Sequence, residues 1–526
     1  MITKRVNIRL AVIQAVTVLG YRLKVFLLSV SFLSVVGESL GQERDDDPGA
    51  GELGVPAIAG ISGPGRAEDT TQQEEAKVFA PRDFFAQVLR FHPVARQAAL
   101  LSENARQELR IARGEFDPKL ESDFAMKEYK QDLYYRNWNT VLKVPVWIGE
   151  LKGGYEQNTG SYVNPEVRTP GGGLAYAGVS VPLPISQGFF IDARRATLRQ
   201  AKLFRDIAEA DRVKEINKLL LSAAKDYWNW YYARNEYEMM QEAYNLADVR
   251  FRAVKERVVQ GDLAAIDSVE AQTILQDRLV QLQQAQVSVA NAQLLLSNYL
   301  WGEDDTPLEI PQGVVPADFD TNQRVLGEAT LITLLERARQ QHPELRKLNL
   351  KMDQLEVETR FRRDLLKPSI RVDYNLLSAA PVQTSEVDMA FLRNNYKLGA
   401  YFSFPLFLRK ERGKLQQTII KLEQNTFERS QAGREIENGI RAVYNELKTT
   451  EGLLQVQQSM VENYLRLRNG ELQKFENGES SLFLINSRES KYIEAQIKLI
   501  SLRSKYEKQK AELLWAAGLS EWEGVE

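Results

Sequence analysis

The chain has 526 residues, a net charge of -3 and no cysteine. That charge gives no bulk attraction to nucleic acid, and the missing thiols exclude disulfides, thiolate metal sites, a cysteine nucleophile and a lipid-modified N-terminal cysteine. Length alone suggests about three domains, but the residues read as two long copies of one pattern.

Lys4, Arg5, Arg9, Arg22 and Lys24 precede the apolar run from Val25 to Val36. A bilayer-spanning helix needs about 20 apolar residues, more than this run supplies. With Ser39 and Gly41 at the -3 and -1 positions, residues 1–41 are expected to be a secretory signal peptide. Residues 42–78 are rich in Asp, Glu, Gly and Pro and read as a flexible leader.

The first repeat is assigned to residues 79–301. Helix is expected over 82–115, interrupted at His92-Pro93, because proline suits the first turn of a new helix. Alternating apolar residues then mark strands, at Leu120, Phe124 and Met126 and again at Ala175, Ala177, Val179 and Val181. The intervening stretch is longer and rich in glycine and aromatics (Trp138, Trp147, Tyr155, Tyr162, Tyr176). It predicts extra extended structure and a surface loop near Thr169–Gly173. From about Gln187 to Gln260 there is no proline and one glycine, Gly188. At about 1.5 Å per residue this is a helix on the order of 110 Å long. Gly261-Asp262 breaks it, and a second helix is expected from Leu263 to Tyr299. The seam of that helix is small and mixed (Leu279, Leu282, Ala285, Val289, Ala292), which suits a helix with neighbours on both sides better than a plain coiled coil.

Residues 302–327, with Pro307, Pro311 and Pro316, read as a linker. The second repeat, 328–520, follows the same order, and 521–526 is a short tail. Helices are expected over 328–341 and 343–366. Strands carry Ile370, Val372, Tyr374 and Leu376, then Tyr396, Leu398, Ala400, Phe402 and Phe404. A long helix runs from about Lys410 to Asn477, breaks at Gly478-Glu479 and resumes from Leu482 to about Ala517. Four anchors recur in order. His92-Pro93 and His342-Pro343 are each followed, 25 residues after the proline, by Pro118 and Pro368. Ser180-Val181-Pro182-Leu183 answers Ser403-Phe404-Pro405-Leu406, and Tyr227 and Tyr444 each stand 34 residues before Gly261 and Gly478. Such a series is the signature of a duplication.

Aromatics at the strand ends (Tyr129, Tyr134, Tyr135, Phe189, Phe190, Phe391, Phe407) suit interfacial girdles, with Arg409, Lys410 and Arg412 at a headgroup boundary. The two histidines each precede a proline at a helix entry, which favours a role in the turn over acid–base or metal chemistry. The sequence has no glycine-rich phosphate loop, nucleophile elbow or shared metal spacing. No enzyme activity, cofactor or metal is therefore expected.

In order and spacing, the paired His-Pro segments, the Val-Pro-Leu and Phe-Pro-Leu strand ends and the two glycine breaks resemble the TolC-type outer-membrane efflux family over about residues 80–520. The resemblance implies a mainly α protomer of very long helices plus four strands. Three copies would close a twelve-stranded β-barrel in the outer membrane above a periplasmic helical tunnel. It further implies a passive exit duct for a tripartite efflux pump or type I secretion system, with a periplasmic adaptor and an inner-membrane transporter as partners. The tip that docks the adaptor would be Gly261, Asp262 and Leu263 with Gly478, Glu479 and Ser480. The gate candidates are Asp267, six residues after Gly261, and Ser487. Leu484 and Ser487 stand where some relatives place carboxylates, leaving Glu479 or Glu489 as nearby sources of charge. The competing reading is a soluble or peripheral long-helix scaffold or adaptor of the periplasm.

Overall fold

Proline and glycine punctuate this chain, and the elements fall between them. The computed structural model describes residues 78–311, 313–319, 327–379 and 394–519. The expected signal peptide, residues 42–77 of the leader, Phe391 and the C-terminal tail lie outside the described residues.

In the first repeat, β1 (Val78–Phe79) leads to α1 (Pro81–Phe91) and α2 (Pro93–Gly114). Four strands follow: β2 (Lys119–Tyr129), β3 (Asp132–Pro145), β4 (Glu150–Thr159) and β5 (Leu174–Pro182). Then come α3 (Ala193–Val259) and α4 (Ala265–Ser297). The linker contributes β6 (Val315–Pro316). The second repeat has α5 (Glu328–Gln341), α6 (Pro343–Asp364), β7 (Ser369–Ala379), β8 (Tyr396–Ser403), α7 (Arg409–Glu476) and α8 (Leu482–Ala516).

The histidines act where the residues place them, at helix entries. His92 Nδ1 accepts the Val94 N–H at 3.1 Å, and His342 Nδ1 accepts the Glu344 N–H at 3.2 Å. Each imidazole is the N-cap of the helix that the following proline begins. The acceptor role requires a neutral ring, and burial favours that form. It lowers the His92 pKa and pushes His342 down to about 4, against the opposing pull of Glu344.

The long helices α3 and α7 have 67 and 68 residues, so each spans about 100 Å. The α3 helix starts at Ala193 rather than near Gln187. Gly188 takes a positive φ, and the Asp192 carboxylate caps the helix by accepting the Arg195 N–H at 2.9 Å. The α4 seam runs through Ala271, Arg278, Leu282, Ala285, Val289, Ala292 and Leu296, an unbroken heptad spacing. Leu279, expected in that seam, is 39% exposed, because Arg278 takes the inward position. The helices pack in mixed order. The first repeat's α3 contacts α4, but also α6 and α8 of the second. Where the four helix bodies meet, Tyr227 is fully buried. Its hydroxyl donates to the Phe79 carbonyl at 2.7 Å and accepts the Ala317 N–H at 3.1 Å. This pins the short parallel pair of β1 and β6 onto α3. Burial raises the Tyr227 pKa, so the phenol keeps the proton it donates.

One antiparallel sheet has the order β2-β3-β4-β5-β7-β8. The resemblance implies four strands per chain, and the second repeat supplies two as expected. The first supplies four. The additional pair, β3 and β4, occupies the glycine- and aromatic-rich stretch for which extra extended structure is expected. Alternation there is diluted by Thr140, Gly153 and Gln157 on the apolar face, so those residues do not read as strands individually. Pro182 and Pro405 mark the ends of β5 and β8, since proline cannot donate to the ladder. The loop at 169–173 follows β4 as expected.

Candidate functional site

The two helix hairpins at the far end of the long helices form a tip built twice from the same parts. Gly261 has φ +86° and Gly478 has φ +77°, the left-handed region glycine enters without cost. In the first hairpin Gly261 N–H donates to the Val258 carbonyl at 3.1 Å and Asp262 N–H to Arg257 at 2.9 Å. In the second Gly478 N–H donates to Phe475 at 3.1 Å and Glu479 N–H to Lys474 at 2.8 Å. Both are Schellman caps, which satisfy the last carbonyls of α3 and α7.

The short helices begin differently. Ser481 caps α8, its hydroxyl accepting the Leu484 N–H at 3.4 Å. The matching N-cap of α4 is Ala264, which has no side-chain acceptor. Asp267, three residues on, reaches back instead and accepts the Ala264 N–H at 3.2 Å. The repeats thus use opposite halves of a capping box. Asp267 is half-buried in this capping position, and Ser487 is exposed.

Of the tip residues, Gly261, Asp262, Gly478 and Glu479 are exposed. Leu263 turns inward against a small core of Val254, Ala271, Leu482 and Ile485, drawn from both repeats. The Ser480 hydroxyl donates to Glu471.

Beside that core lies a polar network the sequence reading missed. Arg250 on α3 pairs with Glu489 on α8, whose side chain is 5% exposed. Arg250 also donates to Asn486 Oδ1 at 3.1 Å, and Asn486 donates to Glu270 on α4 at 3.3 Å. One heptad up, Arg278 donates to Ser490 at 2.7 Å and to Gln281 at 2.8 Å. Glu489, offered above as a nearby source of charge, is neutralised by Arg250. The signal was available. Arg250 continues the spacing of the buried Met240, Ala243, Ala247 and Val254, and Arg278 continues that of Ala271 and Ala285. Charges at seam positions mark a place where helices are joined by polar contacts, whose alternative arrangements can differ by little energy.

At the other end, the sheet sorts its side chains. Leu120, Phe124, Trp138, Leu142, Leu151, Leu398 and Phe402 all project from one face and are all more than a third exposed. The opposite face carries Glu121, Lys143, Lys152 and Asp373, joined as Lys143–Glu121 at 2.5 Å and Lys152–Asp373 at 3.0 Å. Aromatics flank both ends. Tyr129 and Tyr134 sit by the outer turns, where Tyr134 stacks on Tyr162 at 4.4 Å. Phe190 and Phe407 lie at the helix end, exposed, with Arg409 5.2 Å over the Phe407 ring. An apolar face that large is unstable against water. The exposed apolar face makes the sheet a surface suited to lipid. Among the described residues no helix is long and apolar enough to cross a membrane.

Residues 334–519 match the model of the outer membrane efflux protein family. Over that stretch, its second repeat, this chain is similar to outer membrane efflux proteins. No curated protein matches it by sequence. Among solved structures it is similar to the CmeC outer membrane channel of Campylobacter jejuni, at 14% identity over 85% of this chain and 87% of that one, TM-score 0.58. The open-state MtrE outer membrane channel of Neisseria gonorrhoeae is 14% identical over 84% and 89%, TM-score 0.60. The outer membrane protein VceC of Vibrio cholerae is 13% identical over 83% and 96%, TM-score 0.56. At such identities the shared property is the fold, and the fold of this chain is the TolC type.

Proposed function

We propose that this protein is a passive exit duct in the outer membrane. Three copies close a barrel in lipid, and their long helices form a tunnel into the periplasm. A periplasmic adaptor docks at the tip, and an inner-membrane transporter supplies the energy. The observation that carries the reading is the six-stranded sheet. One face is apolar and exposed, the other is polar and salt-bridged, and the sheet crowns helices about 100 Å long. A single curled sheet leaves two open edges, which lipid does not tolerate, so copies must join edge to edge. Cells producing the full chain would be fractionated and the protein's mass measured by light scattering in mild detergent. A trimer in the outer-membrane fraction is expected. A buffer-soluble monomer or dimer overturns the reading.

At the tip, Gly261, Asp262, Gly478 and Glu479 are the exposed turn residues offered to an adaptor, with Leu263 and Ser480 holding the hairpins in shape. Asp267 is the leading gate residue: threefold symmetry would make it a ring of three carboxylates, which favours cations. Ser487 lies along α8 as the uncharged companion. Single-channel recording tests this, since Asp267→Asn should lower cation preference while Ser487→Ala leaves it unchanged. Equal selectivity in Asp267→Asn and the parent rejects the gate role.

A further inference from the structure

The hairpin β3–β4 is inserted between β2 and β5, and three observations bear on what it does. Its faces continue those of its neighbours through the body of the sheet, the one register shift falling between Lys127 and Glu128 beside the outer turn. Phe124 opposes Trp138, Leu142 opposes Gly153, and Leu151 opposes Val179 on the apolar side. Its height is complete. The strands have 14 and 10 residues, and a tilted membrane strand needs about 9–11. The turn at its lower end is seated on the helices, with Trp147 stacked on Phe116 and the Gly149 carbonyl accepting from Arg194 at 3.3 Å. Third, all pairings are antiparallel and the strand number is even. The edge strands β2 and β8 therefore run in opposite directions, as closure between copies requires.

We propose that β3–β4 is a lipid-facing part of the barrel wall. Resting on the exit-duct reading above, three copies then close through β2 of one and β8 of the next, with six strands from each. The result is eighteen strands rather than the twelve implied by a four-strand protomer. At about 4.8 Å between strands and a tilt of about 40°, the backbone diameter rises from about 24 Å to about 36 Å. The outer end of the duct is then roughly half again as wide, so its wall does not limit what leaves.

The absence of native cysteine makes the test direct. Single variants Trp138→Cys and Leu151→Cys report the apolar face, and Asn137→Cys and Glu156→Cys the polar face, in full-length protein in outer membranes. A membrane-impermeant maleimide should label positions 137 and 156 at least tenfold faster than 138 and 151. Lipid-borne nitroxide should quench a fluorophore only at 138 and 151. Leu398→Cys in β8 is the reference. Equal aqueous labelling at all four hairpin positions, with Leu398→Cys still shielded, overturns the proposal and makes the hairpin an external flap. Labelling of Leu398→Cys as well overturns the membrane reading beneath it. A deletion of residues 130–159 supplies an independent measurement, because it rejoins Tyr129 to Gly160 on the same side of the sheet. Top views by electron microscopy should show a barrel narrower by about a third. An unchanged diameter refutes the proposal, and the labelling scan stands whether or not the deletion folds.

Discussion

Replacing Arg250 by alanine should loosen the tip more than replacing its partner Glu489. The two residues are not equally placed. Glu489 has a side chain 5% exposed, whereas that of Arg250 is 18% exposed. With Arg250 removed, Glu489 is a buried carboxylate without its counter-charge, a situation that costs about 3–5 kcal/mol. With Glu489 removed, Arg250 keeps its bond to Asn486 and some water, so about 2 kcal/mol is expected. A global unfolding midpoint is the wrong readout for so long a molecule, which opens in parts. Hydrogen exchange of amides flanking Gly261 and Gly478 reports the tip itself. At tenfold per about 1.4 kcal/mol, Arg250→Ala should speed exchange there by roughly two to three and a half decades, and Glu489→Ala by about thirtyfold. The double variant should fall well short of the sum, because each change removes the other's penalty. Additive effects, or the reverse order of the single variants, would refute the reasoning.

Three further outcomes are expected. Asp267→Ala should speed exchange of the Ala264 amide about fivefold, the equivalent of ~1 kcal/mol for a lost cap, while Asp267→Asn retains an acceptor and most of the protection. Acid should weaken the junction of α6 with the end of α8. His342 titrates at about 4 when folded against an ordinary 6.5, so the unfolded state binds the extra proton between those values. Stability there is full above about pH 6.5 and falls as pH drops toward 4, by roughly 3 kcal/mol in all. His342→Gln should flatten that profile in exchange measured from pH 7 to pH 4. Gly149→Ala should damage the foot of the inserted hairpin, since the residue has φ +89° and its added Cβ would lie 2.2 Å from the Ser180 carbonyl oxygen. A loss of at least ~2 kcal/mol is expected, seen as a lower thermal midpoint and faster proteolysis at Trp147.

Much of the fold could be read from punctuation. His-Pro pairs, Pro182, Pro405, Gly261 and Gly478 each end or begin an element for a local steric reason, and local reasons survive in sequence. The hairpin β3–β4 was harder. Its apolar face includes Gly153 and Gln157, which spoil the alternation of a single strand, and only the cross-strand neighbours Trp138 and Leu142 restore a continuous surface. The tip network was hidden for a related reason. Arg250 and Glu489 are unremarkable surface types until the heptad phase of α3 and α8 shows them facing inward together. Asp267 was legible as a carboxylate near a glycine turn. That Ala264 cannot cap its own helix, which commits Asp267 to the turn, required comparing the two repeats residue by residue.

Tyr227 joins segments made at very different times. Its hydroxyl holds Phe79, 148 residues upstream, and Ala317, 90 residues downstream. A nascent chain that has just completed the first repeat has the tyrosine and its first partner, but not the second. The aromatic core around it, with Phe84, Trp230 and Val314, also waits for the linker. The first repeat therefore completes its core only when the linker arrives. A chain cut between the repeats would uncover the smaller cores both supply, where Met240, Ala243, Leu282 and Ala285 meet Ile493 and where Val254 and Ala271 meet Leu482 and Ile485.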